Sequence, residues 1–349
     1  MHTEAMRKKV ICVITAVLIL LSCAGCGKQE EAADRSFFAL DTYITMQAVG
    51  PDAEQALETA EESIRELERK WSVTSPGSEI YTVNQSGGNP TSISEDTAEI
   101  LRFVLDMAQD TDGALDPTIY PVLTAWGFTT DSYQVPSQEE LDTLLSYVDY
   151  QSIQLTGGTV TVPVECQIDL GSVAKGYIGD LVADSLRKCG ITSALINLGG
   201  NVQAVGAKAD GSPWRIGVRD PMANGNLGVL EITDQAVVTS GGYERYFTDA
   251  DGNVYWHILD PQTGYPARNG LISVTVVSPE GKRSDALSTA LFVMGMERAI
   301  EYWCAHGNFE MLLVTENGTV LLTGGLENAF TLDEEQNGRE VTVIHHEAE

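Results

Sequence analysis

The sequence predicts an α+β fold: a single large domain of mixed, mainly antiparallel strands and packed helices. Three observations predict it. Segments with strand alternation and segments with helical spacing follow one another from residue 37 to about residue 322 without a second linker. They lack the regular interval of repeated βαβ units and any G-x-G-x-x-G fingerprint, which argues against a nucleotide-binding doubly wound sheet. Two hairpins, at 152–164 and 309–322, are legible from short strand runs separated by turn residues.

In chain order, residues 38–49 read as a first strand. Ala53, Ala56, Leu57, Ala60, Ile64, Leu67 and Trp71 then recur at helical spacing for five turns, giving a long amphipathic helix. Ser94 is placed to cap a second helix whose apolar face is Ala98, Leu101, Val104, Leu105 and Ala108, stopped at Gly113. Ser137 and Glu140 form the capping box of a third, with Leu141, Leu144, Leu145 and Val148 turned inward. The hairpin at 152–164 turns at Gly157-Gly158. A fourth helix carries Ala174, Ile178, Leu181, Val182 and Leu186 and ends at Gly190; the strand 193–198 follows and breaks at Gly199-Gly200. Further strands are expected at 214–218, 228–232, 254–258 and 272–277, then a helix at 285–294 and the closing hairpin. No internal repeat is found.

The chain has 349 residues, 43% hydrophobic and 20% charged, in the range of a folded globular protein. Its formal net charge is −29. A surface that acidic repels phosphate backbones, which excludes nucleic acid as an expected partner. An anionic substrate would need a metal or a local cluster of donors to bind.

Residues 1–26 read as a processing signal. Met6-Arg7-Lys8-Lys9 is a basic start, and the 12 apolar residues from Val10 to Leu21 fall short of the roughly 20 a membrane-spanning helix needs. Small residues ahead of a cysteine then resemble a bacterial lipoprotein cleavage box. Cys26, preceded by Ala24-Gly25 and followed by a polar stretch, is favoured for lipidation over Cys23, which has Leu20 three positions upstream. The alternative is a plain secretory signal or an uncleaved anchor. Either way the folded part is expected outside the cytoplasm. Residues 27–36 read as a polar tether, 37–332 as the domain and 333–349 as a polar tail. Beyond the signal only Cys166, Cys189 and Cys304 remain, an odd number with no zinc-like spacing.

Five clusters carry chemistry-bearing residues, and each also has a structural explanation. The first is Asp112 to Thr118 with Trp126-Gly127-Phe128 behind it, a turn and core packing if it is not a ligand wall. The second, I-D-L-G-S-V-A-K-G from Ile168 to Gly176, puts Asp169, Ser172 and Lys175 at a strand–helix junction with free helix N–H groups, or else makes a corner salt bridge. The third, Asn197 to Asn201, is a glycine turn able to cradle an anion or simply to turn. The fourth joins Thr239 to Arg245 with His257 to Gly264, where His257 is a candidate base or phosphate partner or else a structural histidine, and Asp260 would orient it or shape the turn. The fifth is Ser284 to Ala290. Asp285 and Thr289, four apart on a helix, present carboxylate and hydroxyl on one face. That is a hard-oxygen pair suited to Mg²⁺, unless both merely serve the helix itself.

Taken in order, these clusters resemble one family. DGALDPTIYPVLTAWGF, IDLGSVAKGYIGD, INLGGNVQAVG, VVTSGGYERYF, HILDPQTGYP and SDALSTALFVMG look like the ApbE family of FAD:protein FMN transferases, from about residue 37 to 322. The resemblance implies one ApbE-like domain that moves the FMN half of FAD onto a Thr hydroxyl of a partner protein and releases AMP. Partners of the family are typically subunits of membrane redox complexes. Some relatives instead hydrolyse FAD to FMN and AMP; a non-catalytic flavin-binding lipoprotein is the reading from another class. Carried onto this chain, the metal site falls on Asp285, Thr289 and the backbone carbonyl of Ser172. FAD contacts fall on Leu40, Thr74, Ala114, Leu115, Asp116, Asp169, Lys175, His257 and Ile258. Some relatives carry Glu in place of Lys175. His257 and Asp285 are the expected catalytic residues, with Mg²⁺ as cofactor and FAD as substrate. The enzyme is expected to be lipid-anchored at the cell membrane.

Overall fold

The computed structural model describes residues 31–346 except 131 and 337; Cys23 and Cys26 lie outside the described residues. The chain enters as a hairpin, β1 (Glu31–Ala39) and β2 (Thr42–Gly50), where the sequence reads one strand at 38–49. The difference lies in the turn. Leu40 and Asp41 both take the left-handed conformation, φ 54° and 55°, which hairpins usually assign to Asn or Gly. The turn is tied down because Leu40 N–H donates to Glu68 Oε1 at 2.6 Å on helix α1 (Ala53–Trp71). Strand β1 therefore runs back through most of the segment that reads as a tether. The seven residues spaced along α1 are its seven buried ones.

Helices α2 (Glu79–Asn84) and α3 (Glu95–Asp110), with strand β3 (Thr91–Ser92) between them, lead to α4 (Tyr120–Ala125) and α5 (Gln138–Leu145). The expected hairpin forms as β4 (Gln154–Thr156) and β5 (Thr159–Thr161). After α6 (Ala174–Lys188) come β6 (Ser193–Leu198), β7 (Asn201–Val205), β8 (Trp214–Arg219), β9 (Asn226–Ile232), β10 (Ala236–Gly241), β11 (Tyr246–Thr248), β12 (Val254–Trp256) and β13 (Leu271–Ser278). Helices α7 (Gly281–Met294) and α8 (Met296–His306) precede β14 (Glu310–Thr315), β15 (Val320–Thr323), β16 (Phe330–Leu332) and β17 (Val341–Ile344).

Among the described residues the main sheet has nine strands, in the order β1-β2-β6-β7-β10-β13-β14-β15-β17. Every pairing in it is antiparallel except that of β15 with β17. Both faces are covered. Ile44, Ile196, Val276, Met311 and Leu313 face a core shared with α1, α6 and α7. Val202, Val277, Leu312 and Val314 face a second core closed by the three-stranded sheet β16-β9-β8. With cores on both sides, central strands such as β13 lose polar alternation and read as continuous apolar runs.

The tail departs from expectation. Strand β17 lies within residues 333–349 and pairs with β15, and Arg339 reaches back to Asp220. No helix of the described residues is long and apolar enough to cross a membrane.

Candidate active site

One end of the nine-stranded sheet gathers the glycine turns and the polar residues of the sequence clusters. The Leu40-Asp41 turn sits there because β2 pairs β6 with Ile44 opposite Leu198, next to the Gly199-Gly200 turn. Gly199 is held at φ 63°, and a Cβ on it would stand 2.2 Å from Thr42 Oγ1, so only glycine lets the two turns meet. The Gly200 N–H is taken by Asn197 Oδ1 at 2.8 Å. The turn is therefore not an open amide cradle. Its contribution is Asn201, whose buried side chain lies close enough to Asp285 to favour the carboxylate. Asn201 Nδ2 still meets no acceptor in hydrogen-bond geometry among the described residues. The carboxylate it serves at this looser geometry is that of Asp285.

Asp169 reaches this end on a pinned segment. The side chain of Asn84 brackets Ile168, donating to its carbonyl at 2.8 Å and accepting from its N–H at 2.7 Å. The Asp169 N–H donates to the Pro117 carbonyl at 2.8 Å, so the first cluster backs the second. Burial pushes the Asp169 carboxyl above its ordinary range, against the Gly171 and Leu170 amides and the charges of Lys175 and Arg245. The His257 imidazole is driven down to about 4, mainly by burial, with Arg245 and Lys175 adding to it and the Arg245 carbonyl opposing. Both side chains nevertheless keep some accessible surface. Groups that are deep yet reachable lie on the floor of a cleft.

Asp285, 4% exposed, completes the floor. Its Oδ2 accepts the Gly176 N–H at 2.8 Å. Burial raises its pKa, while the Lys175 charge, the amides of Gly176 and Lys175, and Asn201 pull it down. Lys175 thus acts on Asp169, Asp285 and His257 together. The Gly176 bond has a second effect. In an uninterrupted helix that N–H would go to the Ser172 carbonyl; here, among the described residues, no N–H does so. A bare carbonyl oxygen therefore lies one helical turn before the amide that the buried Asp285 carboxylate holds.

Thr289 adds a hydroxyl, and its direction follows from its neighbours. Ser288 donates its hydroxyl proton to the Asp285 carbonyl at 2.9 Å. Ser240, 2.8 Å from Ser288, must then donate to it. With that proton used, Ser240 accepts from Thr289 at 3.3 Å. The Thr289 lone pairs remain free for a cation. No three His, Cys, Asp or Glu side chains converge on a metal position among the described residues. The set here is one carboxylate, one hydroxyl and one carbonyl, hard oxygens that fit a Mg²⁺ which keeps several waters and substrate phosphate oxygens.

Other predicted contacts divide. Leu40 is at the same sheet end, and Ile258 is buried beside His257 with its carbonyl taken by the Ala267 N–H. Ala114 and Leu115 are buried, and the Asp116 carboxylate is spent internally on the Thr118 N–H and hydroxyl and on the Tyr150 N–H. Only the backbone of this segment is left to meet a ligand. Thr74 lies in an exposed bend after α1, and among the described residues no hydrogen bond or charge interaction ties it to the cleft floor. Asp260 accepts from the Gln262 N–H and shapes its own turn; His257 is oriented by the Arg245 carbonyl instead. Trp126 and Phe128 are core residues, with Trp126 Nε1 donating to the Gly264 carbonyl. Two shallow depressions, of 380 Å³ beside Leu105 and Tyr150 and 270 Å³ along β1, contain none of the site residues. Asn84 acts at the site from outside all five clusters, whereas Asn201, Ser240 and Arg245 lie inside the third and fourth clusters and their individual parts are set by three-dimensional contacts.

The ApbE family model matches residues 40–313. The chain belongs to the ApbE family. ApbE proteins of known structure share its fold: the Thermotoga maritima protein superposes with a TM-score of 0.80 at 32% identity, covering 86% of this chain and 99% of that one. The flavinyl transferase ApbE of Pseudomonas stutzeri gives 0.78 at 30%, covering 86% and 97%. The FAD:protein FMN transferase of Haemophilus influenzae is 30% identical over 332 residues, 90% of this chain and 95% of the relative. The single α+β ApbE domain expected from sequence is the one observed.

Proposed function

We propose that this ApbE chain transfers the FMN moiety of FAD to a threonine hydroxyl of a partner protein, with Mg²⁺ in the site and AMP as the leaving group. Transfer of flavin from FAD to protein follows from family membership together with relatives at 30–34% identity that carry that activity by name. The finer reading is supported chiefly by one observation: Asp285 takes the Gly176 N–H, which leaves the Ser172 carbonyl bare one turn before it, while Thr289, four residues on from Asp285, gives its proton to Ser240 and keeps its lone pairs unused. Those three groups would hold the metal, which when bound neutralises pyrophosphate oxygens and the departing phosphate.

The protein's own residues supply the rest. His257 is neutral at physiological pH, with Nε2 free to take the threonine proton. The threonine oxygen bonds to the FMN phosphorus, the bond from that phosphorus to the AMP phosphate oxygen breaks, and AMP departs with the electron pair. Lys175 and Arg245 bring positive charge to an otherwise strongly acidic protein where the pyrophosphate must lie. The Asn201 amide offers a donor to the same group.

The acceptor is proposed to be a subunit of a membrane redox complex, reached by an enzyme lipid-anchored at Cys26 outside the cytoplasm. Incubation with FAD and Mg²⁺, with and without a threonine-bearing acceptor domain, tests the transfer. Covalently yellow acceptor and stoichiometric AMP are expected; FAD left intact in the presence of acceptor would overturn it. FMN and AMP formed equally fast without acceptor would mark hydrolysis instead.

A further inference from the structure

Helices α6 and α7 share a short pattern, a glycine followed four residues later by an aspartate: Gly176 with Asp180, and Gly281 with Asp285. Residues four apart share a helix face, and the two faces meet. Gly176 N–H donates to Asp285 Oδ2 at 2.8 Å. In return, Gly281 N–H donates to Asp180 Oδ1 at 2.6 Å and Lys282 N–H to Asp180 Oδ2 at 3.0 Å. Each helix thus caps the first turn of the other. The glycines make this possible: a Cβ on Gly176 would stand 2.2 Å from the Gly281 carbonyl oxygen, and one on Gly281 2.8 Å from the Gly176 carbonyl oxygen. Helix α7 has no cap of its own, because the side chain of Glu280 makes no cap bond. Its orphan N–H groups are satisfied from α6.

We infer that Asp180 is a positioning residue: by capping α7 across the crossing, it sets where Asp285 and Thr289 stand relative to the Ser172 carbonyl. The Gly176–Asp285 bond fixes a single point, about which two helices can still pivot. The two bonds to Asp180 lie one turn away, about 6 Å along the helix, and remove that pivot. Asp180 touches no proposed metal ligand directly. The inference rests on the reading of Ser172, Asp285 and Thr289 as the metal site.

The test measures Mn²⁺ binding by electron paramagnetic resonance, together with hydrogen exchange across residues 279–292. It uses the wild-type chain, Asp180→Ala, Asp180→Asn and Asp285→Ala. For Asp180→Ala, the Mn²⁺ dissociation constant should rise about 10-fold or more, the usual effect of losing a group that orients metal ligands. Exchange at Gly281 and Lys282 should accelerate, and the KM for FAD at saturating Mg²⁺ should change far less. Asp180→Asn keeps one acceptor oxygen and should fall between; it carries the test if the alanine variant does not fold. Wild-type Mn²⁺ affinity in a folded Asp180 variant whose α7 amides exchange faster would overturn the inference, and so would unchanged exchange. Undiminished binding by Asp285→Ala would instead sink the metal-site reading beneath it.

Discussion

His257 Nδ1 lies 3.2 Å from the Arg245 carbonyl oxygen, and a carbonyl only accepts. The neutral ring therefore carries its proton on Nδ1 and offers Nε2 as the base. Burial holds the imidazole near 4, so the ring stays neutral through the pH range in which a free histidine titrates. The acid limb of kcat/KM for flavin transfer should accordingly fall near pH 4, with no break near 6.5. His257→Ala should cut kcat by about 10²–10⁴-fold, the range for losing a general base. The same group shapes stability. Unfolded, His257 takes up a proton below about 6.5; folded, it does so only near 4. The unfolded state binds more protons between these values, so stability rises with pH across that window. The lost stabilisation reaches on the order of 3 kcal/mol below pH 4. Urea unfolding from pH 4 to 7.5 should show a shallower pH slope in His257→Ala.

Asp285, the proposed metal-binding carboxylate, is held against stability. Burial raises its pKa, so the folded state binds this proton more tightly than the unfolded one, and the group's contribution falls as pH rises from about 3.8 through the folded value. Without metal, the charged form of this buried carboxylate is a net cost. Asp285→Asn keeps the shape and an acceptor for the Gly176 N–H. It should melt higher by about 2 °C, corresponding to on the order of 1 kcal/mol, while losing FAD turnover. Millimolar Mg²⁺ should raise the melting temperature of the wild type and leave that of the variant unmoved.

Ser240 gives a third outcome. It is the acceptor that turns the Thr289 proton away from the cleft. In Ser240→Ala the Thr289 hydroxyl loses that direction, so Mn²⁺ affinity should fall about 10-fold with little change in melting temperature. Thr289→Val, which removes the proposed ligand oxygen itself, should weaken binding further in the same titration.

Much of the fold was legible because the helices carry their own period; all seven spaced residues of α1 are its buried face. What escaped was set by partners distant in sequence. The Leu40-Asp41 turn lacks the glycine that marks such turns and depends on Glu68. Helix α7 starts at Gly281, four residues before the expected Asp285, because its cap is Asp180 on another helix. At the site, Asp285 and Thr289 showed in the sequence through their four-residue spacing. Asn201, Ser240 and Arg245 lay inside marked stretches but carried no individual role there, since a serine in a strand or an arginine in a loop has no pattern of its own. Asp116 shows the reverse: sequence marks the residue, while its carboxylate is engaged by Thr118 and Tyr150 and leaves the backbone to meet a ligand.

The polar segment after residue 332 provides the last prediction. Its composition reads as a tail, yet Arg339 donates through Nη2 to both oxygens of Asp220, at 2.7 and 2.6 Å, and Asp220 is 2% exposed. Asp220 Oδ1 also accepts the Met222 N–H at 2.9 Å. Further along, β17 pairs with β15, and His346 stacks on Trp303 at 3.8 Å. Removing the arginine leaves a buried carboxylate without its counter-charge, which costs far more than an exposed pair would. Arg339→Met should destabilise the protein by about 3–5 kcal/mol, the range for breaking one side of a buried pair. Asp220→Asn combined with Arg339→Met should recover part of that loss, because no charge is then stranded. Truncation after residue 332 should be at least as damaging as Arg339→Met, since it also strips β17 from β15. Urea midpoints of the three variants check this, and a truncated chain as stable as the wild type would return the segment to the status of a tail.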